Sequence, residues 1–301
     1  MLRSMYSGIS GMKAFQTKLD VVGNNIANVN TSGYKKSVIS FKDMMSQTMT
    51  GSQAPVANAM GNPIRGGINP SQVGLGTTVG SIDTVHTQGN RQTTNRPLDL
   101  ALEGDGMFVL AEGNGTAITG SNIDETIASI SFTRAGNFYL DSQGYIVNSS
   151  GKYLMGETTS VSTADYIRIQ IPGDAKSFSV GKDGSVNYVD STGTAQIAGY
   201  IKLAKFSNPG GLEKIGGSEY QLTSNAGLTD STGAVVQAIS TLYPAGQNGA
   251  AQIVAGALEM SNVDLSEEFT EMITAQRAFQ ANTRIITTSD EILQELVNLK
   301  R

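Results

Sequence analysis

The sequence predicts an α+β fold: a mainly β central domain inserted between N- and C-terminal amphipathic helices. Three observations predict it. At the N-terminus, apolar residues at Leu2, Met5, Ile9, Met12, Phe15, Leu19, Val22, Ile26 and Val29 are three or four positions apart throughout, the spacing of one helix face. At the C-terminus, Phe279, Ile286 and Leu293 recur every seven residues, Ile285, Ile292 and Leu299 do the same beside them, and Phe269, Met272 and Leu296 extend the face. Between the two lie short apolar or alternating runs broken by turn chemistry, in a chain with 35 glycines, no Trp and only 16% charged residues. That composition belongs to turn-rich β structure.

The first segment, residues 1–72, reads as a helix followed by an extended arm. The steps of its stripe are those of a heptad seam with one extra three-residue step between Met12 and Phe15, a stammer that overwinds a coiled coil locally. The stripe runs into "VVGNNIANVNTSGYKK", where Gly23, Asn24, Asn25, Asn28 and Asn30 are poor helix formers. Asparagine carboxamides bond to neighbouring backbone and end a helix in a defined turn; Thr31, Ser32 and Gly33 complete the break. Residues 46–72, with Pro55, Pro63 and Pro70 and little periodicity, read as an extended arm or mobile linker that draws its order from neighbours.

Residues 73–250 read as the β domain, with no separate outer domain expected. Runs such as "LDLALEGDGMFVL" and "SFTRAGNFYLDSQGYIVNSSGKYLM" are strands, and Gly104-Asp105-Gly106, Ser142-Gln143-Gly144, Lys182-Asp183-Gly184 and the tetrapeptide DSTG at 190 and 230 supply tight turns. Residues 112–129 look like a hairpin loop enlarged by insertion. The last segment, 251–301, is a helix from about Ser266, with Asn262 or Ser266 as cap, Glu267, Glu268 and Glu271 in the early turns and Lys300 and Arg301 at the end. Phe279, Ile286 and Leu293 project from nearly one line and are expected to meet a neighbouring subunit. Residues 1–42 hold six basic side chains and one acidic, residues 259–301 eight acidic and four basic, so the two ends should attract.

Composition excludes much chemistry. With no cysteine and His86 as the sole histidine, thiolate catalysis, Cys-based metal centres and all-His clusters are ruled out. A formal charge of −5 and no strongly basic run argue against a nucleic-acid role. The first twenty residues carry Arg3, Lys13, Lys18 and Asp20 in place of an uninterrupted apolar core, so no cleaved signal peptide is expected; no stretch approaches the roughly 18 apolar residues of a membrane span. "GLGTTVG" misses nucleotide-binding spacing. Asp99 with Glu103 or Asp105, and Asp141 with Asp183, read as turn and solvated aspartates, His86 as a surface or packing residue, and Met44, Met45, Met49 and Met60 as adaptable interface filler. No catalytic, cofactor-binding or metal site is predicted, and the chain does not read as an enzyme.

The motif "GNNIANVNTSGYKK", with Asn24, Asn25, Ala27, Asn28, Thr31, Gly33 and Tyr34, resembles the signature of the axial proteins of the bacterial flagellum, the rod and hook subunits. The resemblance continues through "LDLALEGDGMFVL", "FTRAGNFYLDSQGYIVN" and "SNVDLSEEFTEMITAQRAFQANTRIITTSDEILQELVNLKR". It implies a helical homopolymer whose paired terminal helices form a coiled-coil-like inner tube. It also implies export through the flagellar apparatus without a cleaved signal peptide, an extracellular place in the flagellum, no cofactor, and rod, hook-cap and hook–filament junction proteins as partners. Within the family the two ends look most like a hook subunit, a curved joint transmitting torque. The distal rod subunit is the alternative, because residues 46–72 occupy the place where, as family knowledge, rod proteins carry a segment associated with straightness.

Overall fold

The computed structural model describes residues 2–57, 63–113, 128–158, 166–229, 235–236 and 242–299. The chain divides into two units: a helical unit of Met1–Ile26, Ser37–Asp83 and Asp264–Arg301, and a β unit of Ala27–Lys36 and Thr84–Val263.

In the helical unit, α1 (Leu2–Ala27) and α2 (Leu265–Leu299) are continuous helices; at about 1.5 Å per residue α2 is roughly 50 Å long. Asp264 caps α2, its carboxylate accepting from the backbone N–H of Ser266 at 2.8 Å and of Glu267 at 3.4 Å. The expected caps are therefore corrected: Ser266 lies inside the helix, and Asn262 spends its carboxamide in the β unit, accepting from Lys36 N and donating to Val85 O. Lys300 and Arg301 lie outside the described residues. Beside α1, Ser37–Asp43 pairs with Thr77–Thr84, and Phe41 meets Phe15 edge to face at 5.5 Å.

The arm expected over 46–72 is a long hairpin. Ser46–Thr50 pairs antiparallel with Ser71–Gly74, Gln53 bridges to Ile68, and Val56–Ala57 pairs with Pro63–Arg65. Every residue of Ser46–Thr50 and of Ser71–Gly74 is exposed, so no buried face imposes alternation and the backbone ladder leaves no trace in the pattern of side chains. The prolines obey strand rules: Pro63 opens its strand, and Pro55 and Pro70 fall between strands. Met44, Met45 and Met49 are exposed here; Met60 is outside the described residues.

In the β unit, Met107–Gly113 is a central strand. It pairs with Ala128–Thr133, and with Tyr153–Glu157 and Ala195–Phe206; most of the enlarged loop expected over 112–129 lies outside the described residues. Phe108 and Leu110 enter one apolar cluster with Leu100, Phe138, Leu154 and Ile253, whereas Met107, Val109 and Ala111 enter a second with Phe132, Phe206 and Tyr220. Both faces are covered, which is why "MFVLA" is apolar without alternation. The turn glycines behave as expected at Gly104, Gly106, Gly144, Gly184 and Gly193, all with positive φ; the second DSTG lies outside the described residues. Asp141 and Asp183 accept from the backbone of their own turns, and Asp99 pairs with Arg96.

Candidate assembly site

In the helical unit the two helices run antiparallel, since contacts from α1 positions of rising number fall on α2 positions of falling number. A Cβ at Gly8 would lie 3.2 Å from Ile286 Cγ1 and one at Gly11 2.9 Å from Asn282 Nδ2. Further along, Lys18 pairs with Glu271 at 3.1 Å, and Asn25 Nδ2 donates to Glu268 Oε2 at 3.1 Å. The opposite charge of the two ends is realised in that ion pair. Seen from α2, Glu268, Ala275, Asn282 and Ser289 recur every seven residues; Glu268, Ala275 and Ser289 are buried. On α1, Gly8, Gly11, Ala14, Val22 and Asn25 are the buried positions. The seam is therefore a heptad seam made of small and polar residues, which lets the backbones approach closely.

This arrangement divides the large apolar side chains. Of the N-terminal stripe, Val22 is buried, Met5, Met12, Phe15, Leu19, Ile26 and Val29 are half-buried, Ile9 is exposed, and the side chain of Leu2 lies outside the described residues. Of the C-terminal stripe, Met272, Phe279, Ile286 and Leu293 are half-buried, while Phe269, Ile285, Ile292 and Leu296 are each 44–50% exposed. Ile273, Val297 and Leu299 join the exposed flank. The line through Ile286 is thus corrected: Ile286 packs on Gly8 of its own chain. The helix has two apolar lines about 100° apart, and spacing alone does not say which one the partner helix inside the chain will take.

Asn25, 1% exposed, explains the asparagines at the end of α1. Its carboxamide donates to Ser37 O at 2.9 Å and accepts from Ser37 N at 3.0 Å, copying the two-bond pairing of a strand neighbour and fixing where the next strand starts. Asn24 and Ala27 are exposed. Asn28 and Thr31 form the turn itself, through Thr31 N to Asn28 O and Thr31 Oγ1 to Asn28 Oδ1, both 3.1 Å.

In the β unit the rest of the motif docks by charge. Gly33, at φ +68°, donates its N–H to Glu259 O at 2.8 Å, and any Cβ there would collide with the backbone of Ala135. Lys35 and Glu259, 0% and 1% exposed, are paired at 2.6 Å; Arg134 reaches the other oxygen of Glu259 at 3.1 Å, and Gly89 N donates to the first at 3.0 Å. Lys35 also donates to Thr87 O, Arg134 to Gly104 O, and Lys214 stands 4.8 Å over the Tyr34 ring. Burial pulls the Lys35 pKa below the ordinary lysine value, opposed by Glu259 and aided by Arg134. One carboxylate thus ties residues 35, 89 and 134 to 259; of these, Lys35 and Arg134 lie in segments that carry the family resemblance. Lys35, Arg134 and Glu259 escaped the sequence reading, which placed Glu268 only as an acid of the early turns; the available signal was ionisable residues interrupting otherwise apolar runs, as in "GYKK", "FTRAG" and "GALEMS".

His86 is a packing residue, its ring 5.4 Å from Tyr220. Both ring nitrogens are buried without a hydrogen-bond partner among the described residues. Burial, then Lys35, Lys214 and Arg134, lower its pKa to about 4.

Comparison with known proteins agrees with this picture from end to end. Three family models match: flagella basal body rod protein at residues 5–35, flagellar hook protein FlgE/F/G D1 domain at 101–188, and flagellar basal body rod FlgEFG protein C-terminal at 254–299. The chain is 50% identical over 301 residues to the flagellar basal-body rod protein FlgG of Bacillus subtilis (strain 168), with all of both chains covered. It is 35% identical over 303 residues to the FlgG of Caulobacter vibrioides, covering 99% of this chain and 100% of that one. The flagellar hook protein FlgE of Borreliella burgdorferi is 31% identical over a 472-residue alignment covering both chains fully. The matched segments hold Asn25 and Glu268, the part of the first β core from Leu102 to Val186, and the whole of α2, and the protein belongs to the flagellar rod and hook family of axial structural proteins.

Proposed function

We propose that this chain is a distal rod subunit of the flagellar basal body, polymerising through its terminal helices into the inner wall of a straight tube. The hook reading preferred from sequence gives way here to its alternative. The full-length match with FlgG from Bacillus subtilis supports the rod, whereas the hook relative aligns only across many inserted positions. The observation that carries the polymer reading is the exposed apolar flank of α2, with Phe269, Ile285, Ile292 and Leu296 outside the intrachain seam. Burying such a flank against copies of the chain is worth about 25 cal/mol per Å² of apolar surface, and the antiparallel helix pair leaves it available. Catalysis has no part in this role. Partners are the neighbouring axial proteins at either end and the export apparatus.

Deleting the gene tests the reading. Basal bodies isolated from the deletion strain are expected to end at a shortened rod bearing no hook. A complete straight rod lacking only the curved joint would return the hook reading. Concentrated purified chain should form regular tubes under negative stain, and a chain that stays monomeric at every concentration and salt would sink the polymer reading itself.

A further inference from the structure

Two buried cations, Lys35 and Arg134, share the single carboxylate of Glu259, so their cluster keeps a net positive charge inside the β unit. A buried charge without its own counter-ion is strongly unfavourable. Arg134 also has donors in hand. Of the five N–H groups of a guanidinium, one donates to Glu259 Oε2 and one to Gly104 O, while the side chain is 5% exposed. The other three have no acceptor among the described residues. Beside this guanidinium lies a cavity of about 230 Å³, whose wall includes His86, Asp105, Arg134, Lys205 and Ser207. With about 30 Å³ as the share of one water, it has room for a small polyatomic ion.

His86 supplies the second observation. Its ring packs on Tyr220, and its two nitrogens are shielded from solvent with no hydrogen-bond partner among the described residues. Buried polar groups are nearly always paired, so such a pair of atoms asks for a ligand. The backbone on either side is tied down: Val85 N donates to Lys36 O, Val85 O accepts from Asn262, and Thr87 O accepts from Lys35. A donor held in place beforehand loses little entropy on binding. The charged groups about the imidazole are Lys35, Lys214 and Arg134, all of which oppose its protonation, with Lys205 and Asp105 on the cavity wall and Glu259 paired to Arg134. Four cations thus stand against two carboxylates, and the occupant that such a wall favours is an anion.

We propose that this cavity binds a small inorganic oxyanion of the sulfate or phosphate type, held by the remaining N–H donors of Arg134 and by an N–H of His86. The bound anion neutralises the charge left over by the Glu259 cluster and favours the protonated imidazole. Each unit by which it raises the His86 pKa from about 4 corresponds to about tenfold tighter binding to the protonated chain than to the neutral one. His86 is the sole histidine, so its imidazole C–H signals can be followed by NMR in the full-length chain, kept dilute enough to stay monomeric. Sulfate is the probe, because its charge is constant across the titration. When it replaces chloride at constant ionic strength, the His86 signals should shift saturably. The midpoint of the His86 titration should rise by about one unit, and binding should be about fivefold tighter at pH 4 than at pH 7. Calorimetry then compares two variants. His86→Leu keeps an apolar group against Tyr220 and should weaken sulfate binding several-fold, whereas Asp105→Asn, in an exposed turn, removes the carboxylate of the wall and should tighten it. A response to sulfate no different from that to chloride overturns the proposal. So does sulfate binding that both variants leave unchanged, since the anion is then held elsewhere.

Discussion

A single carboxamide at Asn25 makes three hydrogen bonds that no other side chain of its size can make together: two reciprocal bonds to Ser37 and one donated to Glu268. Asn25→Ala removes all three from a buried site and should cost about 2–3 kcal/mol, read as a lower melting temperature of the helical signal. Asn25→Asp keeps the shape but sets a second carboxylate beside Glu268 and should cost more. At His86 the expectation concerns pH. Its pKa is about 4 in the folded chain against an ordinary 6.5, so between these values the unfolded chain binds a proton that the folded one does not. Stability therefore falls as pH drops from 6.5 to 4 and stops falling from this source below that. Since the imidazole is not wholly shielded, the loss should be about 1–2 kcal/mol, smaller than the full shift implies. Denaturant melts across pH 4–7 check this; His86→Phe should flatten the slope in that window, and an unchanged slope would assign it to other groups.

At the scale of elements, α1 and α2 and the strand-rich middle were legible because each buries at least part of one face, and burial writes period into sequence. What stayed hidden had no such imprint. The paired strands Ser46–Thr50 and Ser71–Gly74 are exposed on both sides, so their pairing is carried by backbone alone. On the two helices the apolar periodicity was legible, but Gly8, Gly11, Asn282 and Ser289 were not recognised as the intrachain seam, because small and polar residues do not announce contact. The ion cluster of Lys35, Arg134 and Glu259 was missed because its members lie up to 224 residues apart. The seam moves the expected contact of Ile286 from a neighbouring subunit to Gly8 of its own chain. Ile286→Asp should loosen the helix pair inside the single chain, seen as lost helical signal at low concentration. Ile292→Asp, at a site 48% exposed, should leave the monomer within about 0.5 kcal/mol yet abolish polymerisation, where the carboxylate would be desolvated. If both variants behave alike, the division between inner seam and outer flank is wrong.

For the whole molecule, the hairpin is the part that can be removed without touching either core. Met44 N donates to Gly76 O at 2.9 Å, so the chain closes on itself at the base of the hairpin. Replacing residues 45–75 with an Asn-Gly turn should keep Ser37–Asp43 paired with Thr77–Thr84 and leave thermal stability within about 1 kcal/mol, because two-residue turns of this type suit antiparallel pairs. Met45 and Met49, both exposed, go with the deletion, and tubes made from the shortened chain should differ in stiffness or curvature under the electron microscope. Identical tubes would show that the hairpin plays no part in the polymer. A chain that no longer folds would show that the hairpin supports the pair beneath it.

The Lys35–Glu259 bond also sets a clock. Closing a loop of that length is slow, because the entropy of bringing distant segments together must be met before the contact returns anything. Whichever end of the chain becomes free first, the ion cluster waits for the other, as does the seam between α1 and α2. A chain in transit with either end still held can fold the middle of its β unit but cannot fasten the N-terminal turn to it. The polymerisation-ready form therefore belongs to the complete, fully released molecule, and fragments lacking everything from Glu259 onward are barred from it by topology.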